Sequence, residues 1–276
     1  LGQGSSLVLI AALLPACADP GPVVSPEQAH VLFLPGIGGS NLLVRRTTTL
    51  INEQLPGYSA QTWDWTDIDR VTPLGDLMNE DLNRRRARRL ADELLHWRQA
   101  HPRDRLYLAA TSGGAGIILF ACQQLPPDFR LERIIFISPA LSRDVDLTPI
   151  LRRSRLGLFN YYSHLDVAVL GVGTGIFGTT DRKHAPSAGL VGFDLPADPA
   201  LAVKIEQLAW EPAFTRLGNI GGHSGAFASS FLEKHILPEF LPSGAAAGVP
   251  VSDASTAAGG SRGPTPAGDR HAAAAR

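Results

Sequence analysis

Positions 106–122 read LYLAATSGGAGIILFAC, and this stretch narrows the possible folds more than any other in the chain. Its first five residues are a short apolar run of the kind that makes a buried strand. The run that begins at Ile117 has the look of an apolar helix. Between them lie Thr111, Ser112, Gly113, Gly114, Ala115 and Gly116. A chain that leaves a strand and enters a helix within so few residues brings two backbones close together. It also holds the residue at the apex in a sparsely populated φ/ψ region, so small residues are needed on both sides. Ser112 is that apex. A strand that feeds straight into a helix is half of a βαβ unit, which implies a parallel sheet.

The rest of the chain continues the alternation. Strands are expected at 30–34, 59–65, 106–110, 133–138, 158–162 and 213–217. Helices are expected at 80–99, after Gly113, and after His223 through Phe231, Leu232 and Ile236. The fold class is therefore α/β, a three-layer sandwich with a mainly parallel central sheet. With 276 residues, 44% of them hydrophobic, the chain is of a size that one core accounts for, and the domain is expected at 26–241. From 242 onward Ala, Gly, Ser and Pro dominate, a composition that builds no packed core and reads as a disordered tail. A net charge of −1 provides no field to gather nucleic acid. The cluster Arg84, Arg85, Arg86, Arg88 and Arg89 reads as the solvated face of the 80–99 helix, partly balanced by Asp92 and Glu93.

The pattern Ala110-x-Ser112-x-Gly114, set between a strand and a helix, resembles the nucleophile elbow of the alpha/beta-hydrolase superfamily, with alanine in the first small position. The loop Pro35-Gly36-Ile37-Gly38-Gly39-Ser40, which follows the strand at 30–34, is similar to that of lecithin:cholesterol acyltransferase-like lipases. The resemblance implies a serine esterase or lipase-like enzyme whose triad runs in the order serine, acid, histidine. Ser112 is then the nucleophile. His223, in NIGGHSG, is the base, because small neighbours leave its ring accessible. His30 precedes the serine, His101 ends a helix, His235 lies within a helical pattern and His271 falls in the tail. His164 and His184 follow no clear late strand. Asp166, just after LFNYY and the short loop Ser163-His164-Leu165, is the preferred acid, ahead of Asp144, Asp146 and Asp181. The backbone N–H groups of Gly113 and Ile37 are the implied oxyanion donors.

Such chemistry needs no cofactor, and no Cys or His spacing suggests a metal site. The substrate is expected to be a small-molecule or lipid ester. A lipid acyltransferase is the nearest alternative, and a surface-anchored binding protein that keeps the fold without catalysis is the other. Gly173-Thr174-Gly175-Ile176-Phe177-Gly178 matches a dinucleotide fingerprint in letters only, since no helical pattern opens there. Trp63 and Trp65, in TWDWT, are expected in the core, as is Cys122. At the other end of the chain, SLVLIAALL and Leu14-Pro15-Ala16-Cys17 resemble a bacterial lipoprotein signal over residues 1–17. Export follows from that resemblance, to the periplasm or to a membrane surface held by a lipid on Cys17.

Overall fold

Strands covered on both faces must be apolar almost throughout, and the central strands of this protein are. The computed structural model describes residues 28–66, 79–167 and 186–242. Cys17 and the whole of 1–17, the stretch 173–178, Asp181, His184 and the tail after Pro242 lie outside the described residues.

Six strands and four principal helices follow in order. They are β1 (Ala29–Leu34), α1 (Leu42–Gln54), β2 (Tyr58–Thr62), α2 (Glu80–Ala100), β3 (Arg105–Ser112), α3 (Gly114–Gln124), β4 (Arg133–Pro139), α4 (Thr148–Arg153), β5 (Leu158–Tyr162) and β6 (Ile205–Ala209). The sheet order is β2-β1-β3-β4-β5-β6, and every neighbouring pair is parallel. All six carboxyl ends therefore lie along one edge.

Alternate side chains of each strand face opposite layers. Leu32, Leu34, Leu106, Leu108, Ala110, Ile134, Phe136 and Leu158 pack into one cluster with Ala87, Leu90 and Leu94 of α2, Ile117 to Ala121 of α3 and Ile150 of α4. The other face is closed by a helical run of short 3-10, α and π turns from Gly225 to Phe240. There Phe33 meets Phe227, Tyr107 meets Phe240 and Tyr161 meets Phe231, with ring centroids 6.4, 5.8 and 5.2 Å apart. The expected three-layer α/β sandwich is what forms.

Several expectations need correction. The segment expected as a strand at 213–217 is a 3-10 helix, Pro212–Leu217, that ends at Gly218 in the left-handed region. The last strand is β6, eight residues earlier at its start, where Glu206 and Gln207 on a half-exposed sheet edge blur the apolar signal. The strand expected at 59–65 stops at Thr62, because Asp64 folds back onto Thr66 and its own neighbours. Arg86 is not on a solvated face: it is 3% exposed, and its guanidinium lies 5.3 Å from the ring centroid of Trp65. The Glu93 carboxylate accepts from the Trp63 indole N–H. Helix α1 was not anticipated, although Asn41 caps it by accepting from the N–H groups of Leu43 and Val44,.

At the amino edge of the sheet, Arg133 on β4 forms an ion pair with Glu206 on β6 (2.8 Å), and its other guanidinium nitrogen lies 2.9 Å from the carboxyl of Glu239 at the end of the helical run. Burial pushes the Glu239 carboxyl up to about 7, against the smaller opposing pull of Arg133 and with some help from Glu206. The folded state thus holds a proton that the unfolded chain, with an ordinary glutamate near 4.3, gives up at lower pH. Stability contributed by this group is full below about pH 4.5 and is lost as pH rises through about 7. Glu239→Gln is expected to remove that dependence. Urea unfolding at pH 5 and pH 8 should show a wild-type loss on the order of 2 kcal/mol that the variant does not share.

Candidate active site

Ser112 sits at φ +52, a conformation that costs a non-glycine residue on the order of 1–3 kcal/mol and persists only where the surroundings enforce it. The enforcing contacts are close. A Cβ built on Gly114 would lie 2.5 Å from Pro35 O, and one built on Gly36 would lie 3.0 Å from Ser112 Cβ and 3.6 Å from its Oγ. Glycine at 36 and 114 lets the first turn of α3 and the end of β1 press against the apex from two sides. The β3–β4 register also slips between Thr111 and Ser112, which lifts Ser112 out of the ladder. β1 and β3 are the pair at which the strand order reverses direction, and the crevice beyond the carboxyl ends of such a pair is where open α/β sheets bind ligands.

A second serine shares the strain. Ser138, at the end of β4, has φ +50 but is fully buried, and its Oγ has no hydrogen-bond partner among the described residues. Ser112 is 5% exposed and opens onto a helix N-terminus rather than a proline.

Asp166 and His223 come together from distant parts of the chain: His223 Nδ1 and Asp166 Oδ2 are 2.7 Å apart. The acid stands four residues past β5. It is 1% exposed, its N–H donates to Ser163 O, and its Oδ1 has no partner among the described residues. The base lies on a loop hung from β5 at its start, where Asn219 Nδ2 donates to the Tyr161 hydroxyl at 2.8 Å. The same asparagine accepts from Gly221 N through Oδ1 (2.9 Å) and from the Trp210 indole through its carbonyl (3.0 Å). Ser163 Oγ ties the two loops together by accepting from Leu165 N and Gly222 N, both at 3.3 Å. Gly221 and Gly222 have φ of +82 and +72, a path open at low cost only to glycine. Eight residues after Asn219, Phe227 packs on Phe33 of β1. The loop that carries His223 thus spans from β5 to β1, passing β4 and β3, about 14 Å at the usual strand spacing.

Ser112 Oγ makes no hydrogen bond to any described residue, His223 included. Asp146, weighed as an acid, instead accepts from Thr148 N at the start of α4. His235 stacks among Phe214 and Phe231, and His164 packs edge-on against Trp210. Ile37 is half-buried, between Gly36 and Gly38 in a turn closed by Gly39 N donating to Gly36 O (3.2 Å), with Gly38 at φ +88. Neither the Ile37 N–H nor that of Gly113 has a partner among the described residues. No group of three or more His, Cys, Asp or Glu side chains that could hold a metal ion gathers among the described residues. Ser163, Asn219 and Tyr161 were not singled out from the sequence. A serine or asparagine in a turn carries no mark of the distant loop it will tie down.

No family model matches the chain, and no curated protein matches it. Among solved structures, it aligns with a Bacillus licheniformis lipase in its mature form at 15% identity and a TM-score of 0.48, covering 81% of this chain and 96% of that one. A dienelactone hydrolase from Anabaena variabilis aligns at 14% identity and a TM-score of 0.46, covering 75% and 84%. Esterase PE8 aligns at 16% identity and a TM-score of 0.42, covering 75% and 92%. What the site can do is read from its own atoms.

Proposed function

We propose that this protein is a serine hydrolase of the alpha/beta-hydrolase type that cleaves carboxylic esters through an acyl-enzyme. The observation that carries the reading is the 2.7 Å hydrogen bond between His223 and a buried Asp166, made at the same sheet edge as a serine held at positive φ. An imidazole whose Nδ1–H is held by a carboxylate keeps Nε2 free to accept a proton.

The reaction follows from those roles. His223 Nε2 takes the proton of Ser112 Oγ as that oxygen attacks the ester carbonyl carbon. The negative charge that develops on the carbonyl oxygen is met by the free N–H groups of Gly113 and Ile37. His223 returns its proton to the departing alkoxide oxygen as the C–O bond breaks, leaving the acyl group on Ser112. Water then attacks that ester, gives a proton to His223, and the acid departs as Ser112 recovers its own. The reading requires Ser112 Oγ and His223 Nε2 to come within hydrogen-bond reach in the substrate complex, where general-base geometry commonly tightens.

Stopped-flow turnover of p-nitrophenyl esters of graded chain length tests this. An acyl-enzyme predicts a burst of p-nitrophenol close to one equivalent per chain wherever deacylation is the slower step. Transfer of the acyl group to a dilute added alcohol in strong preference to water would move the protein to the transferases. Absence of turnover with every ester would remove the proposal.

A further inference from the structure

The loop Pro35–Ser40 is gripped at both ends by one short segment, Thr62-Trp63-Asp64-Trp65-Thr66. Trp63 N donates to Phe33 O at 2.9 Å, and its indole N–H donates to Glu93 Oε2 on α2 at 2.7 Å. The buried Trp65 indole donates to Pro35 O at 2.7 Å. Asp64 Oδ2 accepts from Ser40 N at 2.6 Å, while Asp64 Oδ1 accepts from Thr66 N and Thr66 Oγ1 at 3.0 and 2.8 Å. Gly39 is pressed so closely against this hook that a Cβ there would lie 2.6 Å from Thr66 Oγ1 and 2.9 Å from Asp64 Oδ2. Arg86 lies over the Trp65 ring and helps to fix its plane.

We infer that Asp64 and Trp65 are positioning residues of the oxyanion hole, acting through the Pro35–Ser40 backbone to aim the Ile37 N–H at the developing negative charge. This rests on the serine-hydrolase reading above. Between the two anchored atoms, Pro35 O and Ser40 N, the loop has a single internal hydrogen bond, Gly39 N to Gly36 O. Three of its four intervening residues are glycine, so left alone it would sample many shapes at little cost. A donor stabilises a transition state only when its direction is set beforehand. The peptide between Gly36 and Ile37 is trans, so its N–H points opposite to its C=O. Gly36 O faces into the turn and the Ile37 N–H therefore faces out of it, one residue from the glycine that touches Ser112. The two outside anchors orient that turn against the apex.

Two substitutions test the inference. Trp65→Phe keeps a ring for Arg86 to cover and deletes the indole donor together with some buried packing,, so its Tm is read beside its kcat. Asp64→Ala deletes the acceptor at an exposed position, where folding is least at risk. Each is expected to lower kcat for p-nitrophenyl esters roughly 10- to 100-fold, with KM within about twofold and the midpoints of the pH–rate profile unmoved. A boronic acid, whose tetrahedral adduct places an oxygen in the hole, should lose affinity in parallel with kcat. Asp64→Asn, which keeps an acceptor oxygen, should recover part of the rate.

Tyr58→Phe provides the control. It deletes a hydrogen bond to Phe240 O (2.5 Å) at the opposite edge of the sheet, and should lower Tm while leaving kcat unchanged. Wild-type kcat and boronate affinity in folded Trp65→Phe or Asp64→Ala would overturn the inference while leaving the nucleophile intact. A loss of rate that merely follows Tm, as in an equally destabilised Tyr58→Phe, would overturn it too. Failure of the broader reading looks different: the wild type itself turns over none of the esters.

Discussion

Ser112→Ala is expected to reduce kcat/KM toward p-nitrophenyl esters by roughly 10^5- to 10^6-fold while leaving the fold intact. The loss is large because the substitution removes the atom that forms the covalent bond, and His223 and Asp166 then have nothing to activate. A residue of activity above the uncatalysed rate should survive, since the Gly113 and Ile37 donors still bind the carbonyl oxygen. Stability should barely change. The hydroxyl makes no hydrogen bond to a described residue, so its removal orphans no partner, and alanine meets the same penalty at φ +52 as serine does. Ser112→Gly is equally inactive and should be more stable than Ser112→Ala by roughly 1 kcal/mol, with a correspondingly higher unfolding temperature, because glycine adopts a positive φ without strain. Steady-state kinetics beside thermal unfolding separate the two effects. An alanine variant that keeps even a tenth of the activity would contradict the assignment.

Asp166→Asn is expected to lower kcat about 10^4-fold. The aspartate accepts the Nδ1–H of His223 across 2.7 Å. An asparagine whose amide nitrogen faces the ring donates instead, which favours the tautomer with its proton on Nε2, the nitrogen that must accept from Ser112. The imidazolium formed during acyl transfer also loses its counter-charge. Folding should not suffer. The carboxylate is 1% exposed and its Oδ1 has no partner among the described residues, so replacing a buried charge by a neutral amide relieves desolvation. An inactive variant with wild-type or higher Tm is the expected outcome, read by kcat and by thermal unfolding together. Wild-type kcat in Asp166→Asn would show that the hydrogen bond is structural only.

The legibility of these features in the sequence follows from how local each is. β1, β4, β5 and α2 were readable because continuous apolar runs and 3.6-residue spacing are properties of the segment itself. Ser112 was readable for the same reason, as an apex that needs small residues on both sides. Gly36 was not seen as its steric partner, because that contact joins positions 76 apart and only the folded sheet brings them together. Asp166 and His223 were reached through the order of residues in a resembling family, and the structure brings them into contact. β6 was missed because an edge strand needs only one apolar face, and Glu206 and Gln207 mask it. Arg86 was misassigned to solvent by its charge, although its long stem and planar head suit it to cover the Trp65 ring. The role of TWDWT was invisible for a related reason. Asp64 and Trp65 bond to backbone atoms 24 and 30 residues away, and backbone atoms leave no signature in a sequence.

The central claim is that Ser112 Oγ is the reacting atom, and a fluorophosphonate probe tests it most directly. Mass spectrometry of the labelled, digested protein should find one phosphonyl group per chain, carried by the peptide that contains Ser112. That adduct should vanish in Ser112→Ala and form far more slowly in His223→Ala. A wild-type protein that takes up no label, or one whose label persists in Ser112→Ala or lies on Ser138, would contradict the account.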